Sequence, residues 1–120
     1  MNSLKINYPQ VLEVKTSLGY KIIAINNIVF LEAKGKFTII HVDDQSEIIT
    51  YHLLKWYTEN FSEPYFFRCH YSYLINCSYV NCYTYKEIVM KDGSKVPLSR
   101  GRLSILKENL SHIIEIQANS

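Results

Sequence analysis

Residues 66–76, "FFRCHYSYLIN", set a guanidinium, a thiol, an imidazole and a hydroxyl close together at Arg68, Cys69, His70 and Ser72, among Phe66, Phe67, Tyr71 and Tyr73. Three chemistries would use such a cluster: a metal site, a cysteine nucleophile or an edge that reads phosphate. A nucleophilic thiolate needs an imidazole within hydrogen-bond reach and a third group to orient it. Neighbours on a strand point to opposite faces, so Cys69 and His70 do not make that pair. The chain has no paired carboxylates, phosphate-cradling glycine loop or H-E-x-x-H run. A zinc site would draw on His70 with Cys69, Cys77 and Cys82, yet no C-x-x-C pair occurs. The reading is therefore a non-enzyme with no cofactor, no metal and no small-molecule substrate.

Two further short runs share the basic character of the first. "AKGKF" flanks Gly35 with Lys34 and Lys36, and "LSRGR" flanks Gly101 with Arg100 and Arg102, next to Ser99. Cations beside glycine suit close approach to a phosphate backbone, because the missing side chain lets amides and cations reach together. Arginine can also contact guanine bidentately in a major groove. Each run has a structural alternative. Lys-Gly-Lys is a common solvated turn, Arg100 a strand exit, His70 a partner for backbone, and Arg68 an ion-pair partner for Glu32 or Glu63.

These runs need elements to hold them. At 120 residues, 48% hydrophobic and 20% charged, the chain reads as one globular domain. Ten tyrosines among many Ile and Val favour strands. A net charge of +2 means that any basic surface is local. No run nears the roughly 18 apolar residues of a membrane span, and the N-terminus lacks a signal peptide's apolar core, so a cytoplasmic location without membrane contact is expected. The odd cysteine count points to reduced thiols.

Turn signals at "SLG", "NN", "KGK" and "DDQS" divide the first fifty residues into strands. Thr50 is the predicted N-cap of a helix through "YHLLKWYTENF", with Leu53, Leu54 and Tyr57 on its buried face, ended by Pro64. "YFFRCH" follows as a strand with Arg68 and His70 on one face and Phe67 and Cys69 on the other. Ser72 is expected to cap a helical turn through "YLIN". Asp92-Gly93 marks a hairpin. Leu103, Ile105 or Leu106, and Leu110 outline one apolar face of a terminal helix, and "HIIEI" a last extended piece.

The order of these features resembles the LytTR family of bacterial DNA-binding domains from about Val11 to Leu110. The resemblance is carried by "F-x-R-x-H-x-S-x-x-x-N" at Phe66 to Asn76, "V-P-x-S-R" at Val96 to Arg100 and "I-x-x-I-x-x-L-E-A-x-G" at Ile25 to Gly35. It implies a mainly β domain, an elongated antiparallel sheet with one or two short helices, spanning residues 11–112 between an extension at 1–10 and a tail at 113–120. It also implies sequence-specific binding of double-stranded DNA, with strand-end loops entering successive major grooves. Lys34 or Lys36, Tyr71 and Arg100 would face bases. Arg68, Ser72, Ser99 and Arg102 would clamp the backbone, His70 would be partly structural, Asn76 would fix a turn, and Tyr51 would meet a phosphate near the helix start.

Many family members carry a basic or polar residue where Tyr71 stands, and a tyrosine cannot make the bidentate contact of arginine. Such domains are commonly the output half of a two-component response regulator. No receiver carboxylates precede this one, which implies an excised output domain or a stand-alone regulator. A homodimer on tandem half-sites would enlarge a small contact surface. The main alternative is a protein-interaction module that adds a peptide strand to its edge. A weaker one is a thiol sensor built on Cys69, Cys77 or Cys82.

Overall fold

The alternating run from Leu12 to Lys15 and the largely apolar "YKIIA" pair as a hairpin, β1 (Val11–Thr16) and β2 (Gly19–Ala24), with Val14 and Ile23 buried beneath it. The computed structural model describes residues 10–61 and 64–118, so most of the expected N-terminal extension lies outside the described residues. A short 3-10 turn at Ile25–Asn27 leads into β3 (Ile28–Lys34), which pairs with β4 (Phe37–Val42), itself paired with β5 (Glu47–Thr50). After α1 (Leu54–Asn60) come β6 (Phe66–His70) and β7 (Tyr73–Asn76). Together these strands form a five-stranded antiparallel sheet in the order β5-β4-β3-β7-β6. A second 3-10 turn at Cys77–Tyr79 opens a three-stranded sheet of β8 (Val80–Tyr83), β9 (Glu87–Met90) and β10 (Lys95–Pro97). The chain closes with α2 (Leu103–Ala118).

The five-stranded sheet is covered on both faces. Ile28, Leu31, Phe66 and Leu74 pack under the β1–β2 hairpin and α1, together with Tyr57 and Phe61. Val29, Phe67, Cys69 and Ile75 face the three-stranded sheet and α2, meeting Ile88, Met90, Val96 and Leu106. Burying a side chain of this size contributes about 1.5–3 kcal/mol, so the two layers together fix the register of the middle strands.

Four local expectations change. Residues 73–76 are strand β7, not a helical turn capped by Ser72. Leu74 and Ile75 lie in different cores, and burial on both faces removes the alternation that marks a strand. Thr50 ends β5 and does not cap α1, which starts four residues later. Its hydroxyl donates to the Thr38 carbonyl at 3.0 Å and lies 2.6 Å from the Tyr57 hydroxyl. Leu53 is exposed, leaving Leu54 and Tyr57 as the buried face. The expected extended piece "HIIEI" is helical, since the apolar row Leu106, Leu110, Ile113 continues at helical spacing and Ile113 is buried against the core. Packing outweighs the weak helix propensity of its isoleucines. Among the described residues no helix is long and apolar enough to cross a membrane.

Candidate nucleic-acid interface

The β3–β4 connection is two residues long, Gly35 and Lys36, between paired Lys34 and Phe37. Gly35 turns there at φ 61, a left-handed conformation that side chains resist. Lys34 and Lys36 are both exposed. The ion pairs among the described residues join His41 to Glu32 and Glu47, and Lys55 to Glu59, so neither lysine is neutralised by one.

Beside this turn lies the β6–β7 connection, Tyr71 and Ser72, entered through a bulge at Cys69. Bulges re-aim side chains at a strand end. Here one anchors the next: Arg68 folds its guanidinium back over the turn. Its Nη1 donates to Thr58 Oγ1 at 2.9 Å, its Nε to the carbonyls of His70 and Tyr71 at 3.1 and 3.2 Å, and its Nη2 also to Tyr71. Burial is the main cause that lowers the Arg68 pKa, with the nearby Arg102 adding in the same direction. The guanidinium stays charged, and its hydrogen bonds to carbonyls are of the stronger, charge-assisted kind. The expected Glu32 partner is occupied elsewhere, with His41 Nε2 at 3.0 Å and the Tyr73 hydroxyl at 3.4 Å; Glu63 lies outside the described residues. His70 Nδ1 accepts from the Ser72 N–H at 3.0 Å, which leaves Nε2 to carry the ring proton. Tyr71, with the Arg68 guanidinium 5.9 Å from its ring centre, is 84% exposed.

The third run, after β10, turns at Gly101 with φ 82, where the Arg102 N–H donates to the Ser99 carbonyl at 3.1 Å. Arg102 is half-buried: its Nη2 donates to the Arg68 carbonyl at 2.8 Å and its guanidinium lies 4.9 Å from the Phe67 ring centre. Arg100, next to it, is exposed.

Backbone hydrogen bonds join the three runs side by side. The Ala33 N–H, at the foot of the lysine turn, donates to the Ser72 carbonyl at 2.8 Å, and the Ser99 N–H donates to the Cys69 carbonyl at 2.9 Å. One end of the molecule thus carries the exposed Lys34, Lys36, Tyr71 and Arg100 on turns joined side by side. The model of the LytTr DNA-binding domain matches residues 19–111. The chain belongs to the LytTR DNA-binding domain family.

A solved LytTr domain, from a Bacillus cereus protein described as a methyl-accepting/DNA response regulator, superposes with a TM-score of 0.70 at 24% identity, over 83% of this chain and 95% of that one. No curated protein matches. As the family implies for this LytTR domain, strands dominate and there is no helix-turn-helix pair among the described residues.

The sequence placed Arg68, His70, Tyr71, Ser72, Ser99, Arg100, Arg102 and the two lysines at one site, and the LytTR fold does gather them. It divides them into two groups by exposure. Arg68, His70, Ser72, Ser99 and Arg102 hold the loops by hydrogen bonds, whereas Lys34, Lys36, Tyr71 and Arg100 stand in solvent. Thr58, the anchor of Arg68, was missed because a threonine on a helix ten residues earlier carries no signal of its partner. Tyr51 lies beside the lysine turn, its ring 5.5 Å from Phe37, but it precedes α1 by three residues and follows β5 directly. Asn76 fixes its turn as expected, donating to the Ile28 carbonyl at 2.8 Å and accepting from the Ser78 N–H at 3.0 Å. The cysteines form no disulfide; Cys69 and Cys77 are buried, and burial pushes the Cys69 thiol up to about 12.

Proposed function

We propose that this LytTR domain binds double-stranded DNA sequence-specifically as part of a bacterial transcription regulator, with its three joined loops entering major grooves on one side of the duplex. The observation that carries this is the row itself: exposed cations and Tyr71 on turns locked to one another by backbone hydrogen bonds. A rigid row spares the binding reaction the entropy of ordering loops. Lys34, Lys36 and Arg100 supply phosphate neutralisation and base-edge hydrogen bonds. Tyr71 donates one hydrogen bond or packs on a thymine methyl. Arg68, His70, Ser72, Ser99 and Arg102 set the positions of those readers, and their outward atoms meet the backbone. Two copies on tandem half-sites would double a contact surface that is small for one domain.

The test is selection of binding sites from random duplexes, followed by titration of the winner at several salt concentrations. With about five to seven phosphates neutralised, log affinity should fall against log salt with a slope of roughly −5 to −6. Arg100→Ala should cost about 1–3 kcal/mol on the selected site and relax base choice at one position. A peptide-binding module would instead show no enriched motif, shallow salt dependence and indifference to Arg100.

A further inference from the structure

The row of loops has a fourth member that the sequence motifs do not include. The β8–β9 turn, Thr84 to Lys86, lies at the same end of the molecule as Arg100, because β9 and β10 are antiparallel and Glu87 pairs with Pro97. A backbone hydrogen bond fastens it there: the Leu98 N–H donates to the Lys86 carbonyl at 3.0 Å, one residue before Ser99 is tied to Cys69. The same kind of bond that links the other three runs therefore extends the series by one more turn, on the side away from the lysine turn. The turn is internally set. The Thr84 N–H donates to the Glu87 carbonyl at 2.8 Å, and Thr84 Oγ1 accepts from the Lys86 N–H at 3.3 Å.

Its side chains match a sugar–phosphate strand. Tyr85 is 71% exposed, and Lys86 Nζ lies 5.8 Å from the Tyr85 ring centre, which holds the ammonium over an aromatic face. No ion pair among the described residues involves Lys86. Between this turn and Arg100 opens a cleft of about 520 Å³, lined by Tyr85, Lys86, Leu98, Arg100, Gly101 and Leu103. Its walls, Tyr85, Leu98 and Leu103, are apolar and its two cations stand at Lys86 and Arg100. Apolar walls suit deoxyribose, and the cations suit the phosphates on either side of it.

We infer that the β8–β9 turn is a fourth DNA contact, in which Lys86 neutralises a backbone phosphate on the flank of the site beyond Arg100 and Tyr85 borders the adjoining sugar. This rests on the DNA-binding reading above and adds a contact that carries no base information. It lengthens the footprint on the Arg100 side, away from the lysine turn.

The experiment titrates the selected duplex with the full chain, the parent beside Lys86→Ala, Lys86→Arg, Arg100→Ala and Lys55→Ala. Lys86→Ala should weaken binding by about threefold to tenfold and flatten the salt slope by about one, with the selected motif unchanged, and Lys86→Arg should restore both. Replacing single flank phosphates by methylphosphonate should locate one position that weakens the parent and leaves Lys86→Ala unaffected. Lys55, paired with Glu59 on α1, serves as the control. Parental affinity and slope in Lys86→Ala, with Arg100→Ala weakened, would overturn the fourth contact and leave the DNA reading standing. Failure of the parent to bind any duplex would overturn both.

Discussion

At one end of β3 the connections and strand ends carry Lys34, Lys36, Arg68, Lys86, Arg100 and Arg102; at the other they carry Asp43, Asp44, Glu47 and Asp92, with Lys91 and Lys95 beside Asp92. The acidic end is joined as firmly as the basic one. The Asp43 N–H donates to the Asn27 carbonyl at 2.9 Å, and the Tyr79 hydroxyl shares its one proton between Asp43 Oδ2 at 3.0 Å and the Asn26 carbonyl at 2.9 Å. Residues 45–47 and 92–94 border one shallow depression. Net charge hides this separation, because +2 is what remains after all 13 basic and 11 acidic residues are added together. Seven residues of strand place the ends about 20 Å apart, roughly twice the Debye length of about 10 Å at 0.1 M salt. Phosphates docked at the basic end would therefore hardly feel the acids, while an approaching duplex at low salt would be oriented by them.

The largest break in this comparison comes from Arg68, which belongs to the basic end by charge and to the framework of its own turn by its contacts. Arg68→Ala should lower stability by about 2 kcal/mol, because it removes charge-assisted hydrogen bonds to Thr58 and to the His70 and Tyr71 carbonyls. Affinity for the selected duplex should fall as well, since the Tyr71 turn loses its clamp. Arg68→Lys should recover little, as an ammonium cannot reproduce the fork. Urea unfolding beside a binding titration separates the two effects. Unchanged stability with weakened binding would make Arg68 a DNA-facing cation, the role proposed for Arg100.

How much of this was legible varies with what the signal depends on. The three basic runs and the strands leading into them are local patterns, so residues such as Gly35 and the Asp92-Gly93 turn announced themselves. Which cations face solvent is not local. Arg68 and Arg100 read alike in sequence, yet one is turned inward by Thr58, ten residues away, and by a bulge at Cys69 that no composition rule marks. The strand β7 was unreadable for a related reason: two cores meet on Leu74 and Ile75, and only the tertiary fold supplies both.

A smaller effect sharpens the contrast between the ends. Lys34→Ala and Lys36→Ala should each flatten the salt slope by about one, and Lys91→Ala, at the acidic end where its N–H meets the Tyr79 carbonyl, should leave it as it was. All three lysines are exposed, so the unfolding transition should move little in any of them. Equal slopes for Lys34→Ala and Lys91→Ala would mean that binding responds to total charge, and the joined loops would lose their special place.

The smallest expected effect concerns the thiols. Cys69 lies directly under the basic end, its carbonyl tied to Ser99 and its Sγ 3.8 Å from the Tyr73 carbonyl, so a modification there would disturb both loops at once. Yet its side chain is wholly buried and its pKa is raised to about 12, so at neutral pH almost none of it is the reactive thiolate. Cys82, on β8, is exposed and is the thiol that reagents reach. Iodoacetamide on the folded protein should label Cys82 first, with Cys69 reacting only on unfolding, and mild peroxide should leave affinity for the duplex within about twofold of the untreated protein. Rapid labelling of Cys69, followed in step by loss of binding, would show that the basic end opens in solution and that the clamp of Arg68 over Tyr71 is transient.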